Sequence, residues 1–284
     1  MLSIKQNNIA KFIIAIIIIA QFTLIFSLQL FGDESFYWLE SYHLDWSYTD
    51  LPGWTAWVIR CSTEIFGHNY FAVRLPGFLA YLSLMYCWSR YLTIFEAKSI
   101  WTHLLLIIAI PIMFILPTMA LPDIWIMFCV SWTTYFALLA TKTEKNKYWA
   151  MLGLLIAISL NIHIRLWFWL FITGLAWLYV FNKDKKLIRK ALLVSLPIGL
   201  VGVLPILFFN LNNDFPMLRF QLSERQPWSF QIQNLSFILI QVLVISPLLF
   251  FLWLRSFKKL QNNPILKWVQ LTALMHFCFY IFVG

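Results

Sequence analysis

Charge is what this sequence has least of. Of its 284 residues, 12% are Asp, Glu, Lys or Arg, where a soluble domain carries about 25%. Other absences narrow the field. There is no Gly-rich phosphate loop and no Cys-x-x-Cys pair. The four cysteines, Cys61, Cys87, Cys129 and Cys278, are scattered, so no intrachain disulfide is expected. The five histidines show no paired metal-ligand spacing, and no internal repeat is visible. Phosphate-loop, dithiol and zinc chemistries therefore find no support.

What is present is apolar. Hydrophobic residues make up 61% of the chain, with 27 Phe, 15 Trp and 11 Tyr, the aromatic types that gather at membrane interfaces. Apolar runs near 12–31, 73–92, 99–117, 122–140, 148–162, 164–181, 191–209, 236–254 and 268–284 predict an all-α polytopic membrane protein with about nine spans. The fifth run is short, and it pairs with the sixth as a tight hairpin. The first run is too long for a signal peptide and lacks a small-residue cleavage site. We read residues 1–284 as one transmembrane domain. The last run ends at Gly284 without a polar tail, which leaves open a continuation past it.

Loop charges predict the orientation. With the N-terminus in the cytoplasm and alternating crossings, 16 of the 21 basic residues fall on the cytoplasmic side, in agreement with the positive-inside rule. The net charge of +9 is then a topology signal and calls for no nucleic-acid partner. The other face keeps Arg60, Arg74, Arg165, Arg219 and Arg225, together with nine of the twelve acids. Acids contribute little to topology, so their clustering there points to a site on the outer face.

Asp33-Glu34 directly follows the first apolar run. Carboxylates so close to hydrocarbon are costly and commonly functional, although a charged helix flank would look the same. On a helix the two neighbours point about 100° apart. One is expected to face a cavity and the other to hold structure, and the sequence does not say which. A carboxylate at the edge of a low-dielectric region is suited to accept a proton. The first outer loop, 32–72, reads as two interfacial helices over 34–46 and 54–66, separated by a turn at Pro52-Gly53. Asp123, in Leu121-Pro122-Asp123, suits the first turn of the fourth span, where an acid meets the helix dipole. It is also a candidate to enter the same outer cavity.

Several of these pieces together resemble a known family. They are Gly32-Asp33-Glu34, Tyr48-Thr49-Asp50-Leu51-Pro52, Phe66-Gly67 through Ala72-Val73-Arg74-Leu75-Pro76, and Leu121-Pro122-Asp123. The stretch from Phe209-Asn210 to Phe215-Pro216, followed by Arg219-Phe220-Gln221, completes the set. In this order they resemble the C-type glycosyltransferases that use polyprenyl-phosphate sugars. The nearest likeness is to the bacterial relatives of protein O-mannosyltransferases and of the aminoarabinose transferase of lipid A.

The resemblance implies an inverting sugar transfer on the outer face of a bacterial inner membrane. It makes Asp33 the catalytic carboxylate, with Glu34 and Asp123 beside it, and Arg74 a phosphate ligand. Asp50, His163, Arg165, Arg219 and Arg225 are the remaining candidates for substrate binding, because a leaving phosphate needs positive charge and Arg pairs well with phosphate. Each has a plainer reading. Arg74 could anchor its span at the headgroups, His163 and Arg165 could be a buried structural pair, and Arg219 and Arg225 could simply pair with Glu224.

The expected partners are a polyprenyl-phosphate sugar donor and a glycolipid, glycan or protein acceptor. No metal ligand set is expected, and nothing demands a cofactor, although a divalent cation is compatible with this chemistry. The chain departs from the family pattern at Leu51-Pro52-Gly53, where relatives often carry a basic residue and two prolines. It departs again at Asn161-Ile162-His163-Ile164-Arg165, where many carry a Lys. The rival class is a polytopic transporter or lipid flippase. That class would place charge near the bilayer midplane and show broken, repeated halves.

Overall fold

The computed structural model describes residues 2–225, 230, 232, 235–257 and 263–283. Lys258 and Lys259, two of the 16 basic residues assigned to the cytoplasmic side, and Gly284, the end of the last run, lie outside the described residues, as does much of 226–234. Among the described residues the chain is helical, as lipid requires, because a helix satisfies its own backbone polar groups.

Six helices are long and apolar enough to cross a membrane, over 6–27, 70–94, 122–143, 164–181, 185–212 and 264–282. Two of the nine expected spans are broken, and the fifth is short, as its run suggested. The run at 99–117 is broken into α5 (Ile100–Ile108) and α6 (Pro111–Ile115), bent by 89°. The run at 236–254 is broken into α14 (Leu235–Ile245) and α15 (Pro247–Ser256), bent by 102°. In each case the proline that starts the second helix has no N–H to continue the first. The fifth run forms α8 (Asn146–Leu160), a helix of 15 residues, about 22 Å long and short of the hydrocarbon thickness.

The chain divides into two compact units. Residues 1–46 and 52–135 form the first, and residues 47–51 and 136–284 the second. In the first unit α1 (Leu2–Ser27) packs with α4 (Tyr70–Ile94) and α5. The core there includes Ile14, Tyr81, Leu84, Leu104, Ile108 and Ile124. Gln21 of α1 is fully buried, and its amide donates to the Met113 and Phe114 carbonyls at 3.0 and 3.2 Å. A buried amide thus occupies carbonyls of the broken span.

The loop 32–72 holds α2 (Gly32–Tyr42) and α3 (Trp54–Phe66). The second matches the expected 54–66, while the first starts and stops earlier than 34–46. On α3 the inward face is Thr55, Ala56, Ile59, Ser62 and Thr63. Ile65 and Phe66 are 68% and 50% exposed. The outward apolar face suits contact with lipid.

In the second unit α9 (Ile164–Phe181) packs on α16 (Pro264–Val283). A helical rod over 185–212 follows α9. It starts as α10 (Lys185–Lys190), passes through a π-helical turn at Ala191–Ser195 and a 3-10 turn at Val201–Val203, and ends as α12 (Leu204–Asn212). Pro197 and Pro205 lie just after these irregular turns, which absorb the hydrogen bonds a proline cannot make. The rod approaches α8 closely because glycines line the seam. A Cβ on Gly153 would sit 2.7 Å from the Ser195 carbonyl, and one on Gly202 would overlap Ala157.

Candidate active site

The apolar run after α1 does not lead straight into the acidic pair as one helix. Residues 28–31 link α1 to α2, and Asp33 and Glu34 fall in the first turn of α2. Their side chains take opposite roles. Asp33 is exposed, and a Cβ on the preceding Gly32 would meet nothing within 4 Å, so the space beside it is open.

Glu34 is fully buried and faces Arg74 of α4, itself 1% exposed. Oε1 of Glu34 accepts from Arg74 Nε at 2.8 Å, and Oε2 accepts from Nη2 at 2.9 Å. Oε2 also accepts from the Phe31 N–H, and Oε1 from the Ala120 N–H. Arg74 then donates Nη1 to the Leu28 carbonyl at 2.7 Å and Nη2 to the Gln29 carbonyl at 2.8 Å. This two-pronged ion pair holds the α1–α2 link, α4 and the segment before α7 (Pro122–Thr143) together. Four donor contacts of Arg74 are therefore consumed by protein groups. The arginine expected to bind phosphate is instead an internal clamp, because burial and these partners leave it no face toward a ligand.

The clamp also places Asp123. Ala120 is bonded to Glu34, and Asp123 lies three residues further on, at most about 10 Å of chain away. Asp123 is half-buried in the first turn of α7. Two helix amino ends, each carrying an acid, are thus tied to one buried ion pair.

The remaining candidates belong to the second unit. There the strip 47–51 lies against residues 217–225. Ser47 donates to the Met217 sulfur at 3.3 Å, Gln221 donates to the Asp50 carbonyl, and Arg225 pairs with the Asp50 carboxylate at 3.1 Å. Arg225 is thus partnered by Asp50, not by Glu224 as the sequence allowed. Arg219 is exposed and donates to the Asp214 carbonyl at 3.1 Å.

His163 caps α9. Its Nδ1 accepts from the Arg165 N–H at 3.1 Å, and the ring is 5% exposed. Burial above all, and then the charges of Arg165 and Arg225, push its pKa down to about 3. Arg165 itself is exposed. The sign follows from linkage. The unfolded ring takes a proton near 6.5 and the folded one does not, so stability falls as pH drops from 6.5 toward 3. The loss from this group is about 1.4 kcal/mol per pH unit. Unfolding of wild type and His163→Gln across pH 7 to 5 is expected to show a shallower acid loss in the variant, and equal slopes would remove His163 from this role.

The turn before this segment rests on a residue that sequence reasoning quoted without a role. Asn210 is buried. Its side chain donates to the Ile206 carbonyl at 2.8 Å and accepts from the Leu218 N–H at 3.2 Å. Its carbonyl accepts from the Phe215 N–H at 2.8 Å. Asp214 and Phe215 both sit at φ +59°, a left-handed conformation that non-glycine residues rarely adopt. Asn-Asp before Pro216 was the available signal for such a turn. Among the described residues, no group of three or more His, Cys, Asp or Glu side chains is placed to hold a metal ion.

Among the described residues the fold is that of an all-helical integral membrane protein with two acids in the first turn of a loop helix. The chain belongs to the dolichyl-phosphate-mannose-protein mannosyltransferase family, whose sequence signature matches residues 50–209. That match contains Asp50, Arg74, Asp123, His163 and Arg165, whereas Asp33, Glu34, Arg219 and Arg225 lie outside it.

The fold is similar to that of ArnT from Cupriavidus metallidurans bound to undecaprenyl phosphate. The TM-score is 0.78 at 16% identity, over 95% of this chain and 55% of that one. The apo state of the same protein matches with a TM-score of 0.78 at 15% identity, over 99% and 56%. This chain therefore spans just over half the length of the structures it matches. No curated protein matches it by sequence.

Proposed function

We propose that this protein transfers a sugar from a polyprenyl-phosphate donor to a hydroxyl acceptor, with inversion, on the extracytoplasmic face of a bacterial inner membrane. The observation that carries the reading is the division of the acidic pair. Glu34 is spent on the Arg74 clamp, which leaves Asp33 exposed at a fixed helix end beside open space. Asp33 takes the acceptor hydroxyl proton as the acceptor oxygen bonds to the anomeric carbon. The bond from that carbon to the phosphate oxygen breaks, and the phosphate departs with the electron pair. Asp123 is the second carboxylate of this unit. Exposed Arg165 and Arg219, with Arg225, are the groups suited to the leaving phosphate. The family and the ligand of the similar ArnT structure support the donor class. Purified protein supplied with polyprenyl-phosphate sugars should release the free lipid phosphate in step with glycosylated acceptor. Comparison of envelope lipids and glycoproteins with and without the gene, by mass spectrometry, should name the sugar and acceptor.

Sidedness has its own test. The 16-to-5 split of basic residues places 141–147 and 182–190 in the cytoplasm and 32–72 and 210–235 outside, which requires α8 to cross despite its length. Cys61 and Cys278 are the exposed native cysteines and would be replaced by Ser. In that background an impermeant thiol reagent is expected to label a cysteine at Asn213 and not one at Asn146. The reverse pattern would overturn the outward-facing reaction.

A further inference from the structure

We infer that the second unit carries a binding site for the phosphate headgroup of an anionic membrane phospholipid, at the end of the rod over 185–212 remote from Arg219 and Arg225. From Val194 at the cavity to Asn212 at the far end of the rod is about 27 Å of helix. The site is a cavity of about 500 Å³ lined by Lys185, Lys186, Arg189, Lys190, Leu193 and Val194, with Asn146 at its edge. Four cations line one space, and among the described residues carboxylates pair with two of them. Lys186 Nζ lies 2.5 Å from Glu144 Oε2, and Lys190 Nζ lies 3.9 Å from the same oxygen. Asp184 is otherwise engaged, accepting from the Lys186 and Leu187 N–H groups at 3.1 Å as the cap of α10. Among the described residues, Lys185 and Arg189 form no salt bridge, and both are exposed.

The positive-inside rule asks only that basic residues lie in the loop. It does not ask that they line a common cavity. The lining is also two-natured. Leu193, 65% exposed, and Val194 belong to the apolar stretch that can cross the membrane. A cationic mouth that continues into an apolar wall fits an amphiphile with an anionic phosphate head and hydrocarbon tails. A free phosphate ion would leave Leu193 and Val194 without a use. The site is separate from the proposed donor chemistry and does not depend on it.

The test uses the purified full chain in a neutral detergent, with phosphatidylglycerol, phosphatidylcholine of the same acyl chains, and inorganic phosphate as probes. Binding is read by native mass spectrometry. Phosphatidylglycerol is expected to bind in preference to phosphatidylcholine, and inorganic phosphate at equal concentration is not expected to displace it. Lys185→Gln with Arg189→Gln should weaken phosphatidylglycerol binding about 30-fold, since each cation beside an anionic headgroup contributes about fivefold. Glu144→Gln removes the carboxylate that competes for Lys186 and Lys190 and should tighten binding several-fold. The two variants shift affinity in opposite directions, so a general loss of folding cannot imitate the pair of results. Equal binding of both lipids overturns the proposal, as does a phosphatidylglycerol affinity unchanged in both variants. Displacement by inorganic phosphate at equal concentration would assign the cavity to a soluble anion and overturn the lipid.

Discussion

Asp33→Asn is expected to lower sugar transfer by about 10² to 10⁴ while the protein still inserts and folds, because a general base contributes about that factor. The substitution keeps size and most hydrogen bonding but cannot take a proton. Asp33 is exposed and has no part in the contacts that join Glu34, Arg74, Phe31 and Ala120, so the unfolding temperature should hold. Affinity for the polyprenyl-phosphate sugar should also hold, since the proposed role is chemical. The readouts are turnover, donor binding and thermal unfolding of purified wild type and variant. Near-normal turnover in Asp33→Asn together with an inactive Asp123→Asn would move the base to α7 and sink the assignment.

Breaking the Glu34–Arg74 pair is expected to damage the fold itself. Both groups are buried, at 0% and 1% exposure, and removing one partner leaves an uncompensated charge in a dry site, a loss of about 3–5 kcal/mol. Glu34→Gln and Arg74→Ala should each lower stability by that order. Arg74→Lys should fare little better, because an ammonium cannot reach both carboxylate oxygens and the Leu28 and Gln29 carbonyls together. Removing both charges at once should cost less than the two single losses combined, since the residues are directly coupled. Unfolding of the two single variants and the double variant measures this. Strict additivity would argue against the clamp. A phosphate-binding Arg74 would give a different signature, with Arg74→Lys keeping full stability and raising the KM for the donor alone.

Much of this protein is legible in its sequence, for a physical reason. Backbone in lipid must satisfy its own hydrogen bonds, so long apolar runs read directly as helices. The runs at 73–92, 122–140 and 164–181 became α4, α7 and α9. Helix α3 was visible at its observed bounds because a periodic pattern follows Pro52-Gly53. The acidic pair was equally visible as a candidate site, since charge beside such a run is conspicuous.

Other features were decided only by contacts between distant residues. Past Ser27 only Gln29 interrupts the apolar residues Leu28, Leu30 and Phe31, so hydropathy alone does not end α1 there. The link is held by Arg74, more than forty positions away. Pro111 and Pro247 were plain to see, yet a proline in an apolar run can kink a helix or break it. At Pro111 the broken arrangement has the buried Gln21 amide on the carbonyls beyond it. Which of Asp33 and Glu34 stays available for chemistry was likewise open, because adjacent residues on a helix face different ways without a local rule for which way is inward. The tertiary structure decides it. Arg74 from α4 and the Ala120 N–H converge on Glu34, and a buried carboxylate is tolerated only where such partners meet it. That leaves Asp33 on the open side.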